Sequence, residues 1–282
     1  MSIPFRKLGL GGGGIKGVLH IGGLRELSKH QSLIFPDGIY GVSVGSILAT
    51  YVAFGLPIEK TPYLVEKYLS MDRILPKLNI KDVTTAFSEK GMFSMDKFEA
   101  TLIELFDEAG LDIRDKKIKD AKMPLYIVSS NITKGVPAVF SNNVSVTKAI
   151  LCSCCIPGVF RPQELNGQLY VDGDLFTPCL SNLIPDGLVF SLIKSPINRL
   201  TPTSIQSIHP LQYMRSLSRL SSAWIHSQQK NHLTVVFQYP NLESDSDLSE
   251  FDMSDIFYQS EKKLHTFLLA ECGLKEGSEC LG

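Results

Sequence analysis

The most informative stretch for the fold is GLGGGGIKGVLHIGGL, Gly9–Leu24, within a sequence of 282 residues. An apolar segment, Lys7–Leu10, leads into four consecutive glycines, and a helical pattern of apolar residues follows over Ile15–Lys29. Glycine loses more conformational entropy on folding than any other residue, so a run of glycines indicates a sharp turn or a close approach of the backbone to another group. The sequence predicts a strand, a glycine loop and a helix, in that order.

A second informative stretch is GVSVG, Gly41–Gly45, which fits the pattern G-x-S-x-G. It joins an apolar strand, Ile39–Val42, to an apolar helix, Gly45–Phe54. In a nucleophile elbow the serine lies on a strained turn between a strand and a helix, with its hydroxyl presented to substrate. Ser43 is therefore the predicted nucleophile, and a glycine-rich packing turn is the alternative.

A carboxylate follows a later strand, in the stretch LYVDGDLF, Leu169–Phe176. Asp172 comes directly after the apolar residues and directly before Gly173. The carboxyl ends of strands are where open α/β sheets carry their sites, so Asp172 is a candidate for acid or base chemistry. An ordinary Asp-Gly turn is the alternative interpretation.

Charge and cysteine content exclude several classes of protein. The 28 basic and 29 acidic side chains give a net charge of -1, which argues against nucleic-acid binding and against strong attraction to anionic membranes. The six cysteines form no paired CxxC modules, so we expect reduced thiols and no zinc or other metal site.

Two segments bear on location. The first ten residues, MSIPFRKLGL, lack the apolar region of a signal peptide. Gly38–Ile58 carries no charge and is long enough to span a bilayer, but a buried strand, a tight turn and a buried helix explain it better. We expect an intracellular protein, cytoplasmic or in peripheral contact with a membrane through apolar loops.

Strands alternate with helices along the chain, and the early strands are continuously apolar. This pattern predicts an α/β fold with three α/β/α layers and a central, mainly parallel sheet. We expect one domain over residues 1–282, with residues 195–282 adding helices and one strand. The further predicted strands are Leu125–Ser130, Val136–Ser141, Leu169–Val171, Leu188–Ile193 and Leu233–Gln238, and the further helices are Thr61–Leu69, Met95–Ala109 capped by Ser94, Thr147–Cys155, His209–Lys230, and one capped by Ser254 that ends at Leu269.

Four blocks in this order resemble the patatin-like phospholipase family over roughly Lys7–Leu180. They are GGGIKG at Gly12–Gly17, GVSVG at Gly41–Gly45, AILCSCCIPGVFRP at Ala149–Pro162, and the DGD that begins at Asp172. The resemblance implies a lipid acyl hydrolase of phospholipase A or lysophospholipase type that needs no cofactor. Its substrate would be a phospholipid or another acyl-lipid, and the requirement for a protein activator is unknown from the sequence.

The resemblance also assigns roles residue by residue. Ser43 would be the nucleophile and Asp172 its general base, in a dyad without histidine. The amides of Gly12, Gly13 and Gly14 would form the oxyanion hole. Lys16 would anchor the loop or balance charge, unless it is simply exposed, and the supporting glycines would be Gly17, Gly41, Gly45 and Gly173. Asp174 departs from the family pattern, which has a small residue at this position.

Three rival functions remain open. Gly12, Gly14 and Gly17 also satisfy the dinucleotide fingerprint G-x-G-x-x-G, with Asp37 as the ribose-binding acid, although Asp37 precedes the second strand instead of ending it. A serine esterase with a histidine triad would recruit one of four later histidines, His209, His226, His232 or His265. A scaffold that retains the fold without catalysis is the third.

Overall fold

The computed structural model describes residues 4–77, 88–192, 201–208, 233–243 and 246–273, with a few further residues between 213 and 225. Its central feature is one mixed sheet of eight strands. From one edge to the other the strands are β10 (Thr234–Phe237), β9 (Leu188–Leu192), β1 (Leu8–Leu10), β2 (Ile39–Val42), β4 (Leu125–Asn131), β8 (Gln168–Val171) and β7 (Gln163–Leu165). Strand β5 (Val136–Phe140) pairs with the other edge of β4. This architecture is the α/β fold with a mostly parallel sheet that the sequence predicts.

The first two strand–helix units form the middle of the sheet and the helices beside it. Strand β1 (Leu8–Leu10) leads through the glycines and a 3₁₀ turn, Gly14–Gly17, into helix α1 (Val18–Ser28). Strand β2 (Ile39–Val42) leads through Ser43 into helix α2 (Val44–Ala53). Strands β1 and β2 pair in parallel, so the glycine loop and the Ser43 turn leave the same edge of the sheet.

The remaining strands complete the sheet and add a small second one. Strands β10, β9, β1, β2 and β4 run parallel, whereas β5, β7 and β8 are antiparallel to their neighbours. A separate parallel pair joins β3 (Gly91–Phe93) to β6 (Gly158–Phe160).

The remaining described helices are α3 (Thr61–Tyr68), α4 (Met71–Ile74), α5 (Asp96–Ala109), α6 (Val146–Ser153) and α7 (Met253–Cys272). Most of their apolar side chains join the larger of two cores, together with the strand residues Leu8, Leu10 and Ile127. The smaller core lies on the opposite face of the sheet, where Leu180 and Ile184 cover Val42, Val128 and Val189. Both faces of the central strands are therefore buried, which explains their continuous apolar sequence.

The uncharged segment Gly38–Ile58 forms β2, the Ser43 turn, α2 and the start of the next turn, as the sequence indicates. Among the residues with described structure, no helix is both long enough and apolar enough to cross a bilayer.

Most predicted elements are confirmed, and the errors fall at helix ends, at strands of three residues and at the four-residue helix α4, which the sequence does not predict. Helix α7 is capped by the Asp252 carboxylate instead of Ser254. Helix α5 starts without a side-chain cap, because Met95 occupies the N-cap position, and the Ser94 hydroxyl donates to Asp96 instead. The sequence does not predict β3, β6 or β7. Most of the predicted helix His209–Lys230 lies outside the described residues.

Candidate active site

Ser43 occupies a strained turn at the carboxyl end of β2. Its φ of 53° and ψ of -129° are rare for a residue with a side chain, and such strain costs on the order of 1–3 kcal/mol. The Ser43 amide donates to the Ser153 hydroxyl (2.9 Å), and its carbonyl accepts from the Ser46 amide (2.8 Å). Ser43 stands at the N-cap position of α2, yet its hydroxyl does not cap the helix, so the hydroxyl is left for another partner.

The glycines on either side of Ser43 are required by close contacts. A Cβ on Gly45 would overlap the carbonyl oxygen of Leu10 and approach that of Gly11. A Cβ on Gly41 would lie 2.5 Å from the Cα of Ser46. The Ser43 turn is therefore packed directly against the end of β1, where the glycine loop begins.

Pairing along β4 explains how Asp172 reaches the same place. Strand β5 covers one edge of β4, and β2 covers the other edge as far as Val128. Strand β8 pairs with Ser130 and Asn131, beyond the end of β2 on that same edge. Because β8 is antiparallel, its carboxyl end points back toward the carboxyl end of β2. Asp172 follows directly and meets Ser43 from the opposite direction.

The Ser43 hydroxyl donates to the Asp172 carboxylate, with 2.6 Å between Oγ and Oδ2. The second carboxylate oxygen, Oδ1, accepts from the Asp174 amide (2.9 Å), and the Asp172 amide donates to the Cys155 carbonyl (2.8 Å). Both side chains are enclosed, since Ser43 is 6% and Asp172 is 4% exposed. The two residues are 129 positions apart in the sequence and form one hydrogen-bonded pair.

Two buried serines that the sequence analysis does not single out, Ser153 and Ser129, hold this pair in place. The Ser153 hydroxyl, at the end of α6, accepts from the Ser43 amide and donates to the Val128 carbonyl (2.6 Å). The Ser129 hydroxyl lies 2.8 Å from the Val171 carbonyl and 3.0 Å from that of Cys152. Ser153 lies within a block that resembles the family, which is the signal that could have singled it out.

The glycine loop presents backbone donors beside this pair. The amide of Gly11 donates to the Phe190 carbonyl (2.9 Å). The amides of Gly12, Gly13 and Gly14 donate to no acceptor among the residues described. Gly13 and Gly14 are half-buried, so part of the loop faces solvent. These three consecutive amides are the candidate donors for a substrate oxygen.

Other predicted glycines lie where the glycine loop, the Ser43 turn and the turn after Asp172 pack against their neighbours. A Cβ on Gly12 would lie 2.7 Å from a carboxylate oxygen of Asp174, which places this unusual acid against the glycine loop. A Cβ on Gly17 would clash with Val44, and one on Gly173 would clash with the Val128 carbonyl. Lys16 is 5% exposed, so the alternative of an exposed lysine is wrong.

His20, on α1, is fully buried and orients the start of the glycine loop. Its Nε2 lies 2.8 Å from the Gly11 carbonyl oxygen and donates to it, while the ring stacks on Phe190. Its Nδ1 has no hydrogen-bond partner among the described residues. Burial lowers the pKa of His20 to about 4, against the opposing effect of the Gly11 hydrogen bond. His20 is therefore neutral at physiological pH.

The buried imidazole predicts a loss of stability in mild acid. Below about pH 6.5 the unfolded chain takes up a proton on His20, while the folded protein resists protonation until about pH 4. The free energy of unfolding should fall by up to about 3 kcal/mol between pH 7 and pH 4 from this group alone. Urea unfolding of wild type and His20→Gln at several pH values measures this fall in the free energy of unfolding. The variant keeps a donor for Gly11 but cannot titrate, so an unchanged pH dependence would contradict the prediction.

Cysteines near the pair are not alternative nucleophiles. Cys154 is buried beside Ser46, and burial raises the pKa of its thiol well above the usual value, with the charge of Asp172 acting in the same direction. Burial likewise raises the pKa of Cys155 to about 12. A thiol attacks as its thiolate, so both side chains are unreactive at neutral pH.

The rival sites receive little support from the geometry. Asp37 precedes β2, at the opposite end of that strand from the glycine loop, and pairs with Arg6 on the surface (2.7 Å). Of the four histidines that could complete a triad, the structure describes His265, which contacts Glu26 (2.7 Å). The Ser43 hydroxyl is hydrogen-bonded to Asp172 instead. His209, His226 and His232 lie outside the described residues.

The protein is thus an α/β protein with a serine elbow, a partner carboxylate and a glycine loop at one edge of its sheet. The family profile described as Patatin-like phospholipase matches residues 8–181, which is more than half of the chain. The protein therefore belongs to the patatin-like phospholipase family.

Individual relatives agree with this assignment. A protein of Acanthamoeba polyphaga mimivirus, itself uncharacterised, is 29% identical over 175 residues, covering 60% of this chain and 57% of its own. An uncharacterised NTE family protein of Mycobacterium bovis is 28% identical over 177 residues, covering 63% of this chain and 44% of its own. The chain thus matches about half the length of these two relatives.

Among solved structures, VipD from Legionella pneumophila has a TM-score of 0.52 and 14% identity. The likeness covers 95% of this chain and 68% of that one. It supports the fold alone.

Proposed function

We propose that this protein is a lipid acyl hydrolase that cleaves carboxylic esters through Ser43 and Asp172. The observation that carries the proposal is the 2.6 Å hydrogen bond from the Ser43 hydroxyl to the Asp172 carboxylate, formed on a strained elbow near loop amides that donate to no acceptor in the described part of the chain. A serine hydroxyl is a weak nucleophile until a base takes its proton, and Asp172 is the base in contact with it.

In the acylation half-reaction, Ser43 Oγ attacks the ester carbonyl carbon and its proton passes to Asp172. The carbonyl oxygen becomes an oxyanion, which the amides of Gly12, Gly13 and Gly14 stabilise. One such donor contributes ~2.7–4 kcal/mol to transition-state stabilisation in serine hydrolases. The tetrahedral intermediate then expels the alcohol or lysolipid, which takes the proton from Asp172, and the acyl group remains on Ser43.

The second half-reaction releases the fatty acid. Water attacks the acyl-Ser43 carbonyl while Asp172 accepts one of its protons, and the same loop amides stabilise the second oxyanion. Collapse breaks the bond to Oγ, and the proton returns to the serine. The burial of both side chains supports this scheme, because charges interact more strongly where water is excluded.

The proposed substrate is a phospholipid or related acyl-lipid, with phospholipase A or lysophospholipase chemistry. Membership of the patatin-like phospholipase family supports this substrate class. Two exposed apolar side chains near Asp172 also support it: Phe176 is 37% exposed, and Ile156, next to the Cys155 carbonyl that binds the Asp172 amide, is 36% exposed. Such side chains suit an acyl chain or peripheral contact with a lipid surface.

Turnover on phospholipid vesicles, compared with turnover on a soluble short-chain ester, tests the proposal. We expect release of fatty acid from vesicles and covalent labelling of Ser43 by a fluorophosphonate. Ser32, an exposed serine, provides a matched variant, Ser32→Ala, which should label normally. Labelling without lipid turnover would support an esterase for soluble substrates. The absence of both labelling and turnover would support a non-catalytic scaffold.

A further inference from the structure

Outside the proposed active site, a buried carboxylate lies between two histidines where α1 meets α7. Glu26, in the last turn of α1, is 4% exposed. One of its oxygens, Oε1, lies 2.9 Å from Nε2 of His30 and 2.7 Å from Nδ1 of His265, which comes from α7. These three atoms all lie within 4.8 Å of one another.

The geometry points to a zinc site formed by Glu26, His30 and His265. Two imidazoles and a carboxylate, with water as the fourth ligand, are a donor set that Zn²⁺ binds in tetrahedral geometry. Bonds of about 2.0–2.1 Å place tetrahedral ligand atoms about 3.3 Å apart, so each ring nitrogen needs to move about half an ångström further from Oε1, with all three atoms already within 4.8 Å of one another. Zinc would replace the imidazole protons that now point at Oε1.

Exposure around the cluster supports entry of a metal from solvent. The His265 side chain is 46% exposed, whereas those of His30 and Glu26 are 10% and 6% exposed. Two ligands are therefore held in place by packing, and the third borders water. The bound ion would cross-link α1 to α7 and stabilise the packing of these helices.

The positive charge of Lys29 opposes metal binding at Glu26, so a variant without this charge can test the proposed zinc site. Its ammonium lies 2.9 Å from the other oxygen of Glu26, Oε2, and 3.1 Å from Glu261. Without a metal, burial raises the pKa of Glu26, but hydrogen bonds from His30, Lys29 and His265 outweigh burial and leave that pKa below its usual value. A divalent ion at Oε1 is repelled by Lys29, so removing this charge should tighten zinc binding.

The test uses the full chain, stripped of metal by a chelator, at pH 7.5. We expect calorimetric titration with ZnCl₂ to show one high-affinity ion per chain. At zinc a hundredfold above Kd, the Tm should rise by about 5–10 °C. His265→Ala should weaken binding at least tenfold, and Lys29→Gln should strengthen it about tenfold. A double variant, Cys272→Ser with Cys280→Ser, should bind zinc as wild type does, which excludes the thiols.

Each outcome decides the proposal. Equal zinc affinity in wild type and His265→Ala would overturn it, as would weaker or unchanged affinity in Lys29→Gln. Those results would identify the cluster as a hydrogen-bonded ion-pair network only. Circular dichroism of each variant without zinc separates loss of binding from loss of fold. None of these measurements depends on hydrolase activity, so the proposal stands or fails independently of the proposed function.

Discussion

Replacing Ser43 by alanine should lower kcat on phospholipid vesicles by about 10⁴-fold or more, the scale expected for loss of a serine nucleophile. Alanine has no hydroxyl to attack the ester, and the loop amides and the carboxylate alone give little rate. The substitution keeps a Cβ, so the strained backbone at φ 53° is no more costly than in wild type. Initial rates of fatty-acid release, measured with both proteins at equal folded concentration, test this expectation.

The matched control is Ser46→Ala, which removes a hydroxyl three positions further along the same turn. The Ser46 hydroxyl donates to the Ser43 carbonyl (2.6 Å) and lies 3.8 Å from the Cys154 sulfur. This variant should lose some stability but retain most of its activity per folded molecule. If Ser43→Ala retains appreciable turnover while Ser46→Ala loses it, the nucleophile is misassigned.

Replacing Asp172 by asparagine should lower kcat by about 10²–10⁴-fold, the usual contribution of a general base. The amide is close in size to the carboxylate and can still meet the Ser43 hydroxyl and the Asp174 amide, so the turn after β8 should persist. It cannot accept the serine proton at neutral pH. The decisive comparison is single-turnover release of the alcohol, with labelling of Ser43 by a fluorophosphonate falling in parallel.

Asp174→Asn is the matched control for Asp172→Asn, because both variants lose one carboxylate from the same turn. Asp174 lies against Gly12, where its charge opposes a developing oxyanion, and we expect its removal to leave kcat unchanged or raise it slightly. A large loss in Asp174→Asn with retained activity in Asp172→Asn would transfer the role of base to Asp174.

The approach of Asp172 to Ser43 was only partly foreseeable. The apolar run before Asp172 indicates a strand, and the sequence places its acid at the carboxyl end. It does not reveal that β8 runs antiparallel to β4 and pairs with it beyond the end of β2. This arrangement brings Asp172 to Ser43 from the opposite direction. Pairing direction depends on contacts between residues far apart in the chain, and no local pattern encodes it.

Helix ends and very short strands were also mispredicted, because the sequence around each of them allows more than one local structure. Ser254 and Asp252 are both good capping residues, and only the backbone around α7 decides that Asp252 takes the position. Strands of three residues such as β3 and β6 carry too little sequence for any periodicity to be read.

The glycine loop, the elbow at Ser43 and the alternation of strands and helices can be predicted from local sequence, because each depends on residues within a few positions of one another. The contacts between distant residues depend on how the chain packs in three dimensions. The hydrogen bond between Ser43 and Asp172 spans 129 positions, and the contact of His265 with Glu26 spans 239. Such contacts form when buried faces pack together, and packing is a property of the whole chain.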